Sequence, residues 1–147
     1  MRDNETFKEH KKRKSTANRG KRSETKAQKA LVTLRIEYDR HHDTRAAGRP
    51  LPAAVADFTI YTKNFVAMLE IKEIAKGTRL KKFVQRPRMQ KRCRNSCCKG
   101  FVMAHFLEAE FWVLIDIQSL DDSPSWDFGA TDTTKYKTAK EALETLL

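Results

Sequence analysis

The sequence predicts a mixed α/β (α+β) domain, in which helices flank a small mixed β-sheet. The predicted order of elements is αββαββα. Three observations predict this fold class. Each end of the domain has an amphipathic helical spacing, and four short apolar runs between them are typical of strands. The two pairs of runs are separated by a basic segment that contains a proline suited to the first turn of a helix. A chain of 147 residues is long enough for one such domain and hardly two.

The charge balance favours a polyanionic partner such as nucleic acid. The chain has 30 Lys and Arg against 19 Asp and Glu, a formal net charge of +11. The sequence contains no run of eighteen apolar residues, so it predicts no membrane span. Residues 1–20 lack the apolar stretch of a secretory signal. Three cysteines, an odd number, suit a reducing compartment. We therefore expect a cytoplasmic protein without a membrane partner, located in the bacterial host cell if it is phage-encoded.

The first predicted helix follows a basic N-terminal segment. Residues 1–22 carry nine basic and three acidic side chains, so we expect a flexible basic arm, followed by a single domain over residues 23–147. Ser23 is the expected N-cap of the helix. Glu24 lies on the face that the helix turns toward the core. The apolar spacing that defines this face comes from Ala27, Ala30, Leu31 and Leu34.

The next two elements form a predicted hairpin. After a loop over His41–Pro52, the strands are expected over Ala54–Tyr61 and Phe65–Glu73. Asn64 is expected to take the positive φ of a tight turn. If Lys63 and Asn64 form a two-residue turn, the register places Asp57 directly opposite Glu70, whereas a three-residue turn would offset them by one.

The second half of the chain supplies the other predicted elements. A helix is expected to run from Pro87 toward Cys98 and to stop at Gly100. Strands are expected over Phe101–Phe106 and Phe111–Ile117, and a long loop over Asp121–Tyr136. Thr138 and Glu141 form the capping box of a last amphipathic helix, whose apolar positions are Ala139, Ala142, Leu143 and Leu146.

The predicted hairpin carries the candidate catalytic and metal-binding residues. Glu70 and Lys72 share one face of their strand, because side chains alternate along a strand. Two opposed carboxylates repel unless a cation lies between them, and magnesium accepts a few hard oxygen ligands while it keeps several waters. Lys72 would then orient or activate a water and stabilise charge on a phosphoryl group. Glu24 is a candidate for a further ligand.

These residues resemble the signature of the PD-(D/E)xK nuclease superfamily, an acid on one strand followed by Glu-x-Lys on the next, within a restriction-endonuclease-like αβββαβ core. The matching residues are Asp57 and Glu70-Ile71-Lys72. Within that superfamily the sequence is similar to the RecU-type and phage Holliday junction resolvases. The further matching segments are Asn18-Arg19-Gly20, Ala56-Asp57-Phe58, Leu69 to Glu73, a Gln-containing basic segment and Gly100-Phe101-Val102.

The resemblance implies a metal site and a reaction. It implies metal binding by Asp57, Glu70 and the backbone carbonyl of Ile71, with Glu24 as the helix carboxylate and Lys72 at the water. The metal would be Mg²⁺, with Mn²⁺ expected to substitute, and the reaction would be phosphodiester hydrolysis without a nucleotide cofactor. The sequence has Ala56 where the family often has Pro. The family's helix glutamine corresponds to Gln85 or Gln90, and the spacing leaves both open.

A basic segment after the hairpin is the expected DNA-binding surface. Residues 76–99 contain ten Lys or Arg and no acid, which favours sequence-independent contact with phosphates. The alternatives are a solvated helix face, or pairing with the acidic segment 107–127. The predicted DNA-binding residues are Arg79, Lys81, Lys82, Arg86, Arg88, Lys91 and Arg92.

The cysteines near the end of this segment admit two interpretations. Cys93, Cys97 and Cys98, with His105, are of the residue types that bind zinc, but their spacing matches no familiar zinc finger. We expect free, partly buried thiols instead.

The sequence thus predicts a magnesium-dependent endonuclease that cuts branched DNA, and most specifically a Holliday junction resolvase in phage or bacterial recombination or repair. The symmetry of a four-way junction predicts a homodimer that presents two sites. Two alternatives stay open. One is a basic nucleic-acid-binding protein without catalysis, and the other is a nuclease of the same superfamily that acts on nicked, flapped or linear duplex DNA.

Overall fold

The computed structural model describes residues 22–41 and 55–147 of the chain. Helix α1 covers residues 22–33 of this described part. The remaining elements, in chain order, are β1 (Glu37–Arg40), β2 (Phe58–Tyr61), β3 (Val66–Ile74), β4 (Arg79–Lys81), α2 (Gln85–Asn95), β5 (Lys99–Phe106), β6 (Phe111–Asp116), a 3-10 turn (Ile117–Ser119), β7 (Ser125–Asp127) and α3 (Ala139–Glu144). No helix in these ranges is long and apolar enough to cross a membrane.

A five-stranded mixed sheet in the order β1-β2-β3-β5-β6 organises the molecule. Strands β3 and β5 are parallel, and the other neighbouring pairs are antiparallel. Strands β4 and β7 form a separate two-stranded sheet. Helices α1 and α3 pack with Leu69 and Ile71 on one face of the large sheet. Helix α2 packs with Met68 and Val102 on the other face. The observed fold is therefore the predicted mixed sheet between layers of helices.

The predicted element order αββαββα is wrong because it lacks three short strands. Strand β1 has four residues, three of them charged, at an edge of the sheet, so it has no alternating apolar pattern to reveal it. Strands β4 and β7 have three residues each, and β7 lies inside the segment predicted as a loop. Adding β1 gives one helix followed by three antiparallel strands, which is how the core implied by the resemblance begins.

Helix α1 has the predicted apolar face, with Ala27, Ala30 and Leu31 buried. Ser23 is not its N-cap, because Arg22 is already helical and the Ser23 side chain is fully buried against the sheet. The helix ends in a Schellman motif, in which the Ile36 N–H donates to the Leu31 carbonyl at 2.9 Å. Arg35 takes the left-handed conformation there, with φ of 57°. The predicted flexible arm lies outside the described residues except for Arg22.

The β2–β3 hairpin has the two-residue turn, which is one of the two turn lengths that the sequence analysis left open. The Thr62 N–H donates to the Phe65 carbonyl at 2.9 Å, and Phe58 pairs with Leu69. Asn64 does not have the predicted positive φ. Instead the Thr62 hydroxyl accepts hydrogen bonds from the N–H groups of Asn64 and Phe65, at 3.3 and 3.1 Å, and these bonds close the turn.

Two predicted boundaries in the second half are also wrong. Helix α2 ends at Asn95, so Gly100 does not stop it and instead lies buried in β5. Strand β6 ends at Asp116, where a 3-10 turn begins. The capping box of α3 is confirmed, since the Thr138 hydroxyl accepts from the Glu141 N–H at 3.1 Å and Glu141 accepts from the Lys137 N–H at 3.2 Å.

Candidate active site

Asp57 and Glu70 meet at the end of the β2–β3 ladder. The observed pairing of Phe58 with Leu69, extended by one residue, places Asp57 opposite Glu70, as the two-residue turn predicted. Asp57 is held twice: its carboxylate Oδ2 accepts from the Ile71 N–H at 2.8 Å, and its carbonyl accepts from the His41 N–H at 2.8 Å. These contacts fix the direction of the Asp57 carboxylate toward β3.

The Glu70 carboxyl group is buried beside Asp57. Glu70 is only 4% exposed. Burial raises the pKa of Glu70 to about 9, and its hydrogen bond with Asp57 and the charge of Asp57 add to this rise. The pair therefore holds a proton at neutral pH, when no cation is bound between the two carboxyl groups.

Lys72 lies next to this pair on the same face of β3. Its Nζ is 4.0 Å from Glu70 Oε1, and the charge of Lys72 opposes the rise in the pKa of Glu70. The ammonium group also lies over the Phe83 ring, 4.8 Å from the ring centroid. The side chain is about one quarter exposed, so solvent reaches the group that the sequence analysis placed beside a reacting water.

The donor chemistry of the pair fits a hard divalent cation. Two carboxyl groups close enough to share a proton present hard oxygens to the same space, and magnesium binds through few protein ligands while it keeps several waters. The described residues contain no cluster of three or more Asp, Glu, His or Cys side chains that would enclose a metal. The predicted role of the Ile71 carbonyl stays a prediction.

Glu24 lies on the first helix near this site but is held by another residue. Its Oε2 is 3.1 Å from Nη2 of Arg40, whose Nη1 also donates to Gln28 Oε1 at 2.7 Å. The charge of Glu24 contributes, as the smallest of several influences, to the raised pKa of Glu70. Glu24 is therefore within electrostatic range of the pair, and its predicted ligand role stays a prediction.

The predicted DNA-binding residues separate into two groups. The prediction that Arg86 binds DNA is wrong, because Arg86 is only 7% exposed and its Nη2 is 2.9 Å from Asp122 Oδ1. Lys82 also pairs with Asp122, and Arg79 lies 3.9 Å from Asp127, so the alternative of pairing with the acidic segment applies to these residues. The remaining predicted side chains are exposed and make no ion pair with a described acid: Lys81, Arg88, Lys91 and Arg92.

The two candidate glutamines have different surroundings. Gln90 has a structural role, since its Nε2 donates to the carbonyls of Ile117 and Leu120 at 2.9 and 2.8 Å and so fastens the 3-10 turn to α2. Gln85 begins α2, two residues after the Phe83 ring that contacts Lys72.

The cysteines of this region are free. Cys97 is exposed, and Cys93 and Cys98 are half-buried. Burial, followed by the nearby Cys98, raises the pKa of the Cys93 thiol to about 11.

Sequence reasoning missed a buried polar cluster on the opposite face of the sheet. The Ser23 hydroxyl donates to Glu73 Oε1 at 2.6 Å and lies 3.0 Å from Nδ1 of His105. The His105 ring stacks on Trp112 with centroids 3.9 Å apart. The only signal in the sequence was Ser23 one turn before an apolar helix face, which a capping role explained equally well.

Comparison with known proteins supports the fold. No protein-family model matches the chain, and no curated protein sequence matches it. Among solved structures, the chain is similar to Hjc, a Holliday junction resolvase from the archaeal hyperthermophile Archaeoglobus fulgidus. The TM-score is 0.57 at 16% identity, over 74% of this chain and 88% of that chain. The chain has the restriction-endonuclease-like fold.

A second solved structure supports the same conclusion. The chain is similar to I-Ssp6803I, a bacterial homing endonuclease, with a TM-score of 0.53 and 14% identity over 88% of each chain. Both neighbours have the restriction-endonuclease-like fold that the sequence motifs had predicted.

Proposed function

We propose that this protein is a metal-dependent endonuclease that hydrolyses phosphodiester bonds in branched DNA, most specifically in four-way Holliday junctions. The observation that carries the proposal is the buried Asp57–Glu70 pair with Lys72 beside it, within a fold that a junction resolvase and a homing endonuclease share. The net charge of +11 supports a polyanionic substrate.

The proposed chemistry is hydrolysis by an attacking water. The oxygen of the water forms a bond to phosphorus, and one P–O ester bond breaks to leave a 3′ or 5′ hydroxyl and a phosphate monoester. Magnesium between Asp57 and Glu70 would polarise the phosphoryl oxygens and neutralise part of the developing charge. Manganese is expected to substitute.

The residues of the chain have distinct roles in this proposal. Asp57 and Glu70 would hold the metal, with the Ile71 carbonyl and Glu24 as further candidate ligands. Lys72 orients the attacking water and stabilises the charge that develops on the phosphoryl group, since its ammonium group lies 4.0 Å from the pair. The hydrogen bond from Ile71 N–H to Asp57 keeps the pair in position while DNA binds.

The exposed basic residues supply the proposed DNA-binding surface. Helix α2 turns Met89 toward the core and leaves Arg88, Lys91 and Arg92 exposed on its other side. These side chains would contact phosphates without reading sequence, which suits a nuclease that recognises DNA shape. Because a four-way junction needs two symmetric incisions, the proposal includes a homodimer.

The experiment incubates the full chain with a labelled four-way junction, and separately with a linear duplex of the same sequence, in magnesium and in calcium. Paired incisions in the junction that need magnesium support the proposal. The variants Glu70→Ala and Lys72→Ala should each lose about a hundredfold or more of the cleavage rate. Glu70→Ala should still bind the junction in EDTA about as tightly as the native protein, since Glu70 is protonated when no cation is bound and its removal leaves the charge of the pair unchanged.

Matched control variants are Glu108→Ala and Lys63→Ala, which remove the same charges at exposed turns of the sheet. They should cleave at the native rate. If the native chain binds junctions without cutting any DNA, and the variants behave alike, the catalytic proposal is wrong and the protein is a basic DNA-binding protein. Cleavage of the linear duplex at the same rate would retain the nuclease and overturn the junction preference.

A further inference from the structure

A second candidate binding site lies on the opposite face of the sheet from Asp57 and Glu70. A cavity of about 410 Å³ opens between α1, the start of α3 and the β5–β6 pair. Four lysines line it, Lys26 and Lys29 from α1, and Lys137 and Lys140 from the α3 side, and none of its lining residues is acidic. The cavity is thus strongly positive although it does not belong to the carboxylate site.

Only one of these four lysines forms an ion pair within the described residues, and the nearby Glu141 carboxylate accepts from the backbone N–H of Lys137 at 3.2 Å. Lys140 Nζ is 3.7 Å from Glu144 on the same short helix. Lys26, Lys29 and Lys137 are exposed, and none of them forms an ion pair with an acid among residues 22–41 and 55–147. Four ammonium groups around one cavity repel each other, and an anion placed among them would relieve the repulsion.

The floor of the cavity is formed by uncharged rings. His105 and Trp112 line it as a stacked pair, and both are almost fully buried. Since the single Ser23 hydroxyl proton goes to Glu73, the contact between Ser23 and His105 is made by the Nδ1–H of a neutral ring. Burial first, and then the charge of Lys26, hold the pKa of His105 down to about 4.

A directional donor also borders the cavity. The Thr138 hydroxyl accepts the Glu141 N–H as the cap of α3, so its own proton stays available for a ligand. Ammonium groups together with a hydroxyl donor match the oxygens of a phosphate, which accepts several hydrogen bonds and carries negative charge.

We propose that this cavity is a phosphate-binding site. The phosphate has two possible sources: the backbone of a DNA segment other than the one at Asp57 and Glu70, or a free phosphate-bearing ion. The DNA source rests on the proposed function and deepens it. A junction offers several duplex arms, and a site behind the sheet would hold one arm while another lies at the carboxylate pair.

The first arm of the test measures DNA binding in EDTA, so that it does not depend on cleavage. The affinity of the full chain for a four-way junction is measured over a series of salt concentrations for Lys26→Gln, Lys137→Gln and the matched control Lys63→Gln. Each cavity variant should lower the slope of log K against log salt by about one, because one phosphate contact releases about 0.9 counterions. The control should keep the native slope.

The second arm uses inorganic phosphate alone. Tryptophan side chains labelled with ¹⁵N are followed by NMR during a phosphate titration, with chloride at equal ionic strength as the reference. The Trp112 indole signal should shift saturably in phosphate, and less so in Lys26→Gln. Trp126 donates to Asp121 elsewhere and should not shift.

The outcomes separate the two sources and the two proposals. A lowered salt slope assigns the site to DNA, whereas a Trp112 shift with native slopes assigns it to a free phosphate ligand. Native slopes in both cavity variants, together with a Trp112 signal that is identical in phosphate and chloride, would overturn the site. A protein that fails to cut DNA but shows the lowered slope would contradict only the nuclease proposal.

Discussion

Asp57 and Glu70 lie opposite each other at the end of one β-hairpin, and their carboxyl groups are joined by a hydrogen bond. The Ile71 N–H donates to Asp57 at 2.8 Å and so fixes one side of the pair to the adjacent strand. Since both residues belong to the same hairpin, the turn at Lys63 and Asn64 sets their register. The position of the pair is therefore determined by local structure and its burial by the rest of the fold.

The stability of the metal-free protein should depend on pH through Glu70. The folded protein keeps a proton on Glu70 up to a pKa of about 9, whereas an ordinary glutamate loses it near 4.5. The folded state thus binds more protons than the unfolded state between these values, so the contribution of Glu70 to stability is fully present below about pH 4.5 and is lost as the pH rises through 9. Glu70→Gln should remove this dependence.

The measurement is urea unfolding in EDTA at several pH values from 5 to 9. The stability of the native chain relative to Glu70→Gln should fall steadily across this range. Glu108→Gln, at an exposed position, should follow the native curve. Parallel curves for the native chain and Glu70→Gln would show that the two carboxyl groups do not share a proton.

Magnesium binding should release a proton from the same pair. A cation between Asp57 and Glu70 requires both carboxylates to be ionised, so binding at neutral pH displaces about one proton. Calorimetric titration in two buffers of different ionisation enthalpy counts that proton. The affinity for magnesium should increase as the pH rises toward 9. A binding heat that is the same in both buffers would contradict the shared proton.

Arg86 and Arg88 should behave differently although they are two residues apart on α2. Arg86 is buried and pairs with Asp122, so Arg86→Ala should lower the free energy of unfolding by about 1–3 kcal/mol. Arg88 is exposed, and Arg88→Ala should leave stability unchanged while it lowers the salt slope of DNA binding by about one. Urea unfolding and salt-dependent binding of both variants test the contrast, and equal effects would refute it.

Local features of the sequence predicted the hairpin and limited its register to two alternatives, and the observed two-residue turn decides between them because it fixes every pair along the ladder. Contacts between residues that are far apart along the chain could not be predicted from local sequence patterns. Ser23 was predicted as a cap because its partners, Glu73 and His105, are 50 and 82 residues away along the chain. Arg86 was predicted to bind DNA because its partner Asp122 is 36 residues away along the chain. The charged edge strand β1 was missed because its pairing with β2, rather than an apolar pattern, defines it.

Gly100 should not tolerate a side chain, although it does not stop a helix. A Cβ added there would lie 2.8 Å from Ile117 Cγ2 and 2.9 Å from Cys93 Sγ, closer than packed atoms approach. Gly100→Ala should therefore lower the free energy of unfolding by about 1–3 kcal/mol, as overpacking does elsewhere. Cys93→Ala in the same chain removes one of the two clashing atoms and should recover part of the loss. Urea unfolding of both variants tests this packing, and it is refuted if Gly100→Ala is as stable as the native protein or if the double variant is no more stable than the single one.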